Sequence, residues 1–167
     1  MKTAAAVLGS LIAAVMMLSF AAVPAWSQYA ERTVQKIGPF TIDSINENGR
    51  FDRCAATLKG KVGMLRIAQN LAQKYSVSVP PTPGLKGPIA MTISFDFTRK
   101  KSYPGTTNGI RSWAVIDMAG FQSALKIKNN ILISTGLKSF AWPIGNTSME
   151  SVMNGLDSCV ARASGNT

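Results

Sequence analysis

Residues 89 to 98 alternate without a break. Ile89, Met91, Ile93, Phe95 and Phe97 fall on one side, and Ala90, Thr92, Ser94, Asp96 and Thr98 on the other. A period of two with β-branched and aromatic side chains belongs to a strand buried on one face. Such a strand needs strand neighbours and a second layer over its apolar side. The rest of the chain must supply both.

The neighbours are legible as hairpins. Lys36 to Ile45 and Arg50 to Thr57 flank Asn46-Glu47-Asn48-Gly49, and Asn-Gly is the favoured pair where both turn residues need positive φ. The same acidic and amide cluster invites a calcium-loop reading. Counting Gly49 as loop position six, however, puts Ala55 where the bidentate carboxylate belongs. Residues 62 to 79 carry two readings. Leu65, Ala68, Leu71, Ala72 and Tyr75 fit a helical stripe, whereas Met64 to Gln69 and Lys74 to Val79 fit a hairpin across Asn70 to Gln73. Tyr75, Val77 and Val79 alternate with Ser76 and Ser78, which favours the hairpin. The stretch Val79-Pro80-Pro81-Thr82-Pro83-Gly84 reads as a rigid loop between strands. Further on, Arg99 to Gly109 reads as a long basic turn and Ile110 to Met118 as a strand. Ala119 to Lys128 is expected as a short helix carrying Phe121 and Leu125. Ile131 to Thr135 and Lys138 to Ile144 read as strands, with Pro143 at an edge or a strand end because it cannot donate to a ladder.

The covering layer is the C-terminal helix. Thr147-Ser148-Met149-Glu150 matches a capping box with Thr147 as the cap. Met149, Val152, Met153, Leu156, Cys159 and Val160 follow at helical spacing. Gly155 interrupts this stripe, which fits a close approach to the sheet. Cys159 lies on the buried stripe, and the other cysteine, Cys54, lies on the first hairpin.

Whether those two thiols join depends on the compartment. Residues 1–27 begin with Lys2, continue through an apolar run from Ala4 to Val23, and end with small residues around Ala25 and Ser27. These are the three parts of a secretory signal peptide, and cleavage after Ala25 or after Ser27 both fit. The run is also about long enough to serve as an uncleaved anchor. An exported chain folds in an oxidising environment, so a Cys54–Cys159 disulfide is expected, against the alternative of two free thiols. The expected architecture is therefore α+β: a mainly antiparallel β sheet or sandwich with a C-terminal helix tied by one disulfide. Residues 28–167 are expected to form a single β-rich domain, with a periplasmic or secreted location.

The order of pieces has a counterpart among known proteins. An early Cys follows a strand in Phe51-Asp52-Arg53-Cys54-Ala55-Ala56, and a hairpin ending in Pro comes next. A short helix and strand span Phe121 to Ile133. An aromatic strand then ends in Gly-x-x-Ser at Trp142-Pro143-Ile144-Gly145-Asn146-Thr147-Ser148. This pattern resembles the small exported proteins of alphaproteobacteria and, loosely, the invasion-associated locus B family. Where that family tends to carry Gly-Asp-Trp before its first Cys, this chain has Ile37-Gly38-Pro39-Phe40. The resemblance implies an envelope or secreted accessory protein linked to host contact, and it implies no catalytic residues.

Composition narrows function further. The chain has no His, which excludes Ser-His-Asp and Cys-His catalysis, histidine metal ligation and a histidine pH switch. No cofactor, metal or catalytic residue is expected. A hydrolase working through two carboxylates survives as an alternative, with Asp96 and Asp117 as its only suggestive pair. A protein inhibitor of a secreted enzyme is the other alternative. With Lys2 set aside, 17 basic residues face 8 acidic ones. The densest cationic stretch is Arg99-Lys100-Lys101-Ser102-Tyr103-Pro104-Gly105. Arg99, Lys100, Lys101 and Tyr103, joined by Arg111, Lys126 and Lys128, are the candidate contacts for an anionic polymer such as lipopolysaccharide or a host glycan. The competing reading is a solubilising, edge-blunting loop. Nucleic acid is disfavoured because the chain is exported and lacks a reading motif. An unidentified protein is the other expected partner. Trp113 and Trp142 fit a ligand groove or, more simply, the core.

Overall fold

The computed structural model describes residues 28–94, 99–136 and 138–165. Residues 1–27, where a signal peptide is expected, and the 95–98 end of the alternating stretch, Asp96 included, lie outside the described residues, as does the Phe121 side chain. The strands are β1 (Tyr29–Ile37), β2 (Phe40–Glu47), β3 (Arg50–Gly60), β4 (Gly63–Asn70), β5 (Tyr75–Val79), β6 (Gly87–Ser94), β7 (Lys100–Thr107), β8 (Ser112–Ile116), β9 (Asn129–Ser134) and β10 (Ser139–Gly145). Helix α1 (Met118–Ala124) lies between β8 and β9, and α2 (Met149–Ala163) follows β10. All ten strands join one sheet in the order β1-β2-β3-β4-β5-β8-β7-β6-β9-β10, antiparallel throughout.

The expected architecture is present. Asn48 and Gly49 take φ of 54° and 74° between β2 and β3, as an Asn-Gly hairpin turn requires. Residues 63–79 are the hairpin rather than the helix, with Ile67 opposite Val77 and Ala68 opposite Ser76. The Pro-rich segment is the loop from β5 to β6. It passes the positions of β8 and β7, which fill the gap afterwards. Pro143 sits in β10, the edge strand of the sheet, beside a register irregularity between Pro143 and Gly145.

Three expectations are corrected. The segment from Lys36 to Ile45 is not one strand: Gly38, at φ 53°, and Pro39 reverse the chain, and Ile37 pairs with Phe40. Strand β1 before that turn carries no alternation, because it is exposed along nearly its whole length. Arg99 to Gly109 is not a long turn either. Lys100–Thr107 is β7, paired with β6 from Ser94↔Lys100 to Gly87↔Thr107, despite Pro104 and Gly105. Finally, Thr147 is not the cap of α2. Ser148 holds that position with no side-chain cap bond, so Glu150 falls one residue short of the capping-box position. The Thr147 side chain instead fills the space that a side chain at Gly38 would occupy.

One continuous core runs from Phe40 and Ile42 through Leu65, Val77, Met91 and Ile133 to Trp142 and the buried stripe of α2. Helix α2 packs across β1 to β4. The sheet curls until β10 meets the β3–β4 turn, where Trp142 Nε1–H donates to the Gly63 carbonyl at 2.9 Å. The interior is filled. Its void of about 20 Å³, lined only by apolar side chains, holds no more than a water-sized guest.

Two devices seat α2. Cys54 and Cys159 form the disulfide, bridging Cα atoms 6.1 Å apart across 105 residues of sequence. At Gly155 an added Cβ would lie 2.6 Å from Ile37 Cδ1 and 3.4 Å from Ile42 Cγ1. The helix backbone at Gly155 therefore packs directly on the Ile37 and Ile42 side chains of β1 and β2. Replacing both cysteines with Ala is expected to lower unfolding free energy by about 2–5 kcal/mol, read from urea titrations; an unchanged midpoint would contradict this role. Gly155→Val overfills the contact and should cost about 1–3 kcal/mol by the same measurement.

Candidate functional site

The predicted anion contacts do not converge. Lys101 donates to Asp117 Oδ2 at 2.5 Å and lies 5.3 Å from the centre of the Tyr103 ring. Asp117 also accepts the Gly120 N–H at 2.7 Å, and these donors hold its carboxyl below the usual carboxylate range. Tyr103 is buried, so its ring is no exposed platform. It occupies the space that a side chain at Gly120 would need. Arg99 and Lys100 are exposed, and Lys100 flanks a shallow depression with Ser94 and Leu132. Lys126 and Lys128 are exposed in the connection between α1 and β9. Arg111 points elsewhere altogether.

Strand parity explains where. Cys54, Leu65, Ile67, Val77 and Ala114 face the core. Their immediate neighbours Arg53, Arg66, Ser76, Ser78 and Trp113 therefore face outward. Ladder register then sets them side by side. Thr57 pairs with Arg66, Arg66 with Ser78, and Ser78 with Trp113. Ala68 and Ser76 form the next row. Small side chains leave a floor, while arginines and a tryptophan stand around it. The result is an open groove of about 370 Å³ on the outer face.

Arg111 enters this groove from a tight turn. Asn108 Oδ1 accepts the N–H groups of Ile110 and Arg111, both at 2.9 Å, and Thr107 Oγ1 donates to the Arg111 carbonyl at 3.0 Å. Gly109 supplies φ of 84°. The guanidinium is half-buried, with only long contacts: Nη1 to Ser78 Oγ at 3.4 Å and Nη2 to Met64 Sδ at 3.7 Å. Burial, then the Arg66 charge, and to a smaller degree Arg53, push its pKa down. The other two arginines have carboxylate partners. Arg66 bonds Glu31 at 2.7 Å and Arg53 lies 3.0 Å from Asp52. Arg111 has no ion pair among the described residues.

The sequence names Arg111 with the Arg99–Tyr103 stretch and leaves Trp113 between a ligand groove and the core; the structure sets both beside one groove away from that stretch. Trp142 is fully buried, as core packing expects, whereas Trp113 keeps 37 % of its surface exposed on the outer face. Arg53 and Arg66 went unnamed. The signal was present in their position one residue out of phase with buried neighbours, but it needed the register to become a site.

Beside the groove, the outer face is tied by a polar relay. Asp43, buried on β2, accepts from Thr33 at 2.6 Å, Thr41 at 3.3 Å and Thr57 at 3.1 Å. Thr57 in turn accepts from Arg66 Nε at 3.2 Å. A second network holds α2. Gln69 Nε2 donates to Tyr75 Oη at 2.8 Å and to Asp157 Oδ1 at 2.7 Å, and Tyr75 Oη donates to Asp157 Oδ1 at 3.0 Å.

Comparison with protein-family models, curated proteins and solved structures finds no match for this chain. The likeness to the invasion-associated locus B family stands on the residue pattern alone.

Burial, followed by the bond to Asp157 and its charge, drives the Tyr75 pKa upward. Folded Tyr75 therefore keeps its proton where unfolded Tyr75 loses it. Its contribution is complete below the unfolded value of about 10 and is lost as pH rises above it. Between pH ~10 and ~11.5 the wild type should lose up to about 1.4 kcal/mol per pH unit more than Tyr75→Phe, measured by urea unfolding along the pH series. Parallel slopes would show that the network does not hold this proton.

Proposed function

We propose that this chain is an exported, non-catalytic binding protein that engages anionic polymers of an envelope or host surface. The observation that carries the reading is Arg111: a half-buried guanidinium, flanked by Arg66 and Arg53, without a carboxylate of its own. A cation in this position is satisfied by an anion brought from outside, and charge-assisted contacts of this kind are among the stronger polar ones. The exposed Arg99 and Lys100 add attraction at longer range.

Two features support the rest. The Cys54–Cys159 disulfide suits an oxidising compartment outside the cytoplasm. Among the described residues no helix is long and apolar enough to cross a membrane. Several carboxylates have structural work: Glu31 on Arg66, Asp43 under three hydroxyls, Asp117 on Lys101 and at the start of α1, and Asp157 on Gln69 and Tyr75. This favours binding over the carboxylate hydrolase. The likeness to exported accessory proteins points the same way.

The test is a pull-down with the oxidised chain from Gln28 onward, against envelope and host-surface extracts and against immobilised heparin. Retention should fall by about ten- to fiftyfold between 50 and 200 mM salt, as release of counterions from about three phosphate-like contacts predicts. A single protein retained undiminished at high salt would replace this reading with the inhibitor.

A further inference from the structure

The groove has more definition than a general attraction to negative charge requires. Three features coincide in it. Arg111 brings an incompletely satisfied guanidinium fork on a turn already fixed by Asn108 and Thr107. Trp113 brings a large aromatic surface, 37 % exposed, one strand away from Ser78. The floor between is Ser76, Ser78 and Ala68, small enough to admit a ring and polar enough to meet hydroxyls. Adjacent strands stand about 4.8 Å apart, so the backbones carrying Arg66 and Trp113, one strand to either side of Ser78, are about 10 Å apart. Less the side chains that flank it, that span is on the scale of one six-membered ring.

We propose that this groove receives an acidic sugar unit, with its carboxylate or sulfate on Arg111 and the C–H face of its ring on Trp113. This rests on the anion-binding reading above and names its ligand class. The chemistry of each part is separate. The planar guanidinium suits an oxyanion held through two oxygens. The indole offers a flat apolar surface to a ring whose two faces are mostly C–H, while its edges carry hydroxyls. Ser76 and Ser78 supply donors and acceptors within the floor. A few placed polar groups beside an aromatic wall are the usual make-up of a small-ligand site. The groove is open at the surface, so the unit can be one residue within a longer chain.

The experiment uses the oxidised chain from Gln28 onward, which retains Trp113 and the buried Trp142. Trigalacturonate and a heparin-derived tetrasaccharide are the acidic probes and separate carboxylate from sulfate. Maltotriose is the neutral counterpart, and a thymidine hexanucleotide tests a stacked base in place of a sugar. Binding is read by calorimetry and by quenching of tryptophan fluorescence. The expected result is binding of at least one acidic oligosaccharide and none of maltotriose. Arg111→Gln should weaken it about ten- to a hundredfold, and Trp113→Ala about three- to tenfold. Lys61→Gln, which removes an exposed charge in the β3–β4 turn, should leave it unchanged. If Arg111→Gln loses its cooperative thermal transition, Arg111→Lys takes its place, since it keeps the charge and loses the fork. Unaltered sugar binding in the Arg111 and Trp113 variants would overturn the groove and leave the polyanion reading intact. Hexanucleotide binding with the same variant sensitivity, and no sugar bound, would overturn the sugar. Failure to bind heparin or either oligosaccharide would overturn both readings together.

Discussion

Helix α2 is the constraint on which the rest of the structure depends. A ten-stranded antiparallel sheet has a large apolar face to hide, and the described residues offer a single long helix to hide it. The sheet resolves the shortage by curling, so that β6, β9 and β10 close over the side that α2 leaves uncovered. Ile93, Ile133 and Trp142 thereby join the same core as Leu156 and Val160. The helix is positioned by three unlike contacts: a covalent one at Cys159, a backbone approach at Gly155, and a hydrogen-bonded one at Asp157. All lie within five residues of one another, Gly155 and Cys159 on one margin of the buried stripe and Asp157 on the other.

A filled interior leaves the outer face as the place for recognition. That face is not simply wetted. Asp43 draws hydroxyls from three strands onto one carboxylate, and Thr57 passes the connection to Arg66. Arg66 is thus held by its neighbours in the sheet and by Glu31, while Arg111 is held by its own turn. Rigid supports under flexible side chains reduce the conformational cost of meeting a ligand.

Much of the fold was legible because burial on one face writes itself into alternate residues. The clearest cases were Tyr75 to Val79, the aromatic strand ending at Ile144, and the helical stripe after Met149. Strand β1 was not legible: Tyr29–Ile37 is exposed on both sides, so no periodicity marks it. Strand β7 was hidden for a different reason. Its charges and its Pro-Gly pair resemble a turn, and only pairing with β6 makes it a strand. The groove was least legible. Arg53, Arg66 and Arg111 are 13 and 45 positions apart in sequence, and nothing local to any of them signals the others. Register brings them together, and register belongs to the assembled sheet.

The element that closes the core follows all ten described strands along the chain. Hairpins from β1 to β5 need only near neighbours, but the partner of Cys54 lies 105 residues further on. Strand β5 likewise waits for β8 beyond two intervening strands. The N-terminal hairpins can therefore pair early, while the core stays open until contacts of large sequence separation form. Closure of this kind makes the compact state wait on the slowest, least local pairing in the molecule.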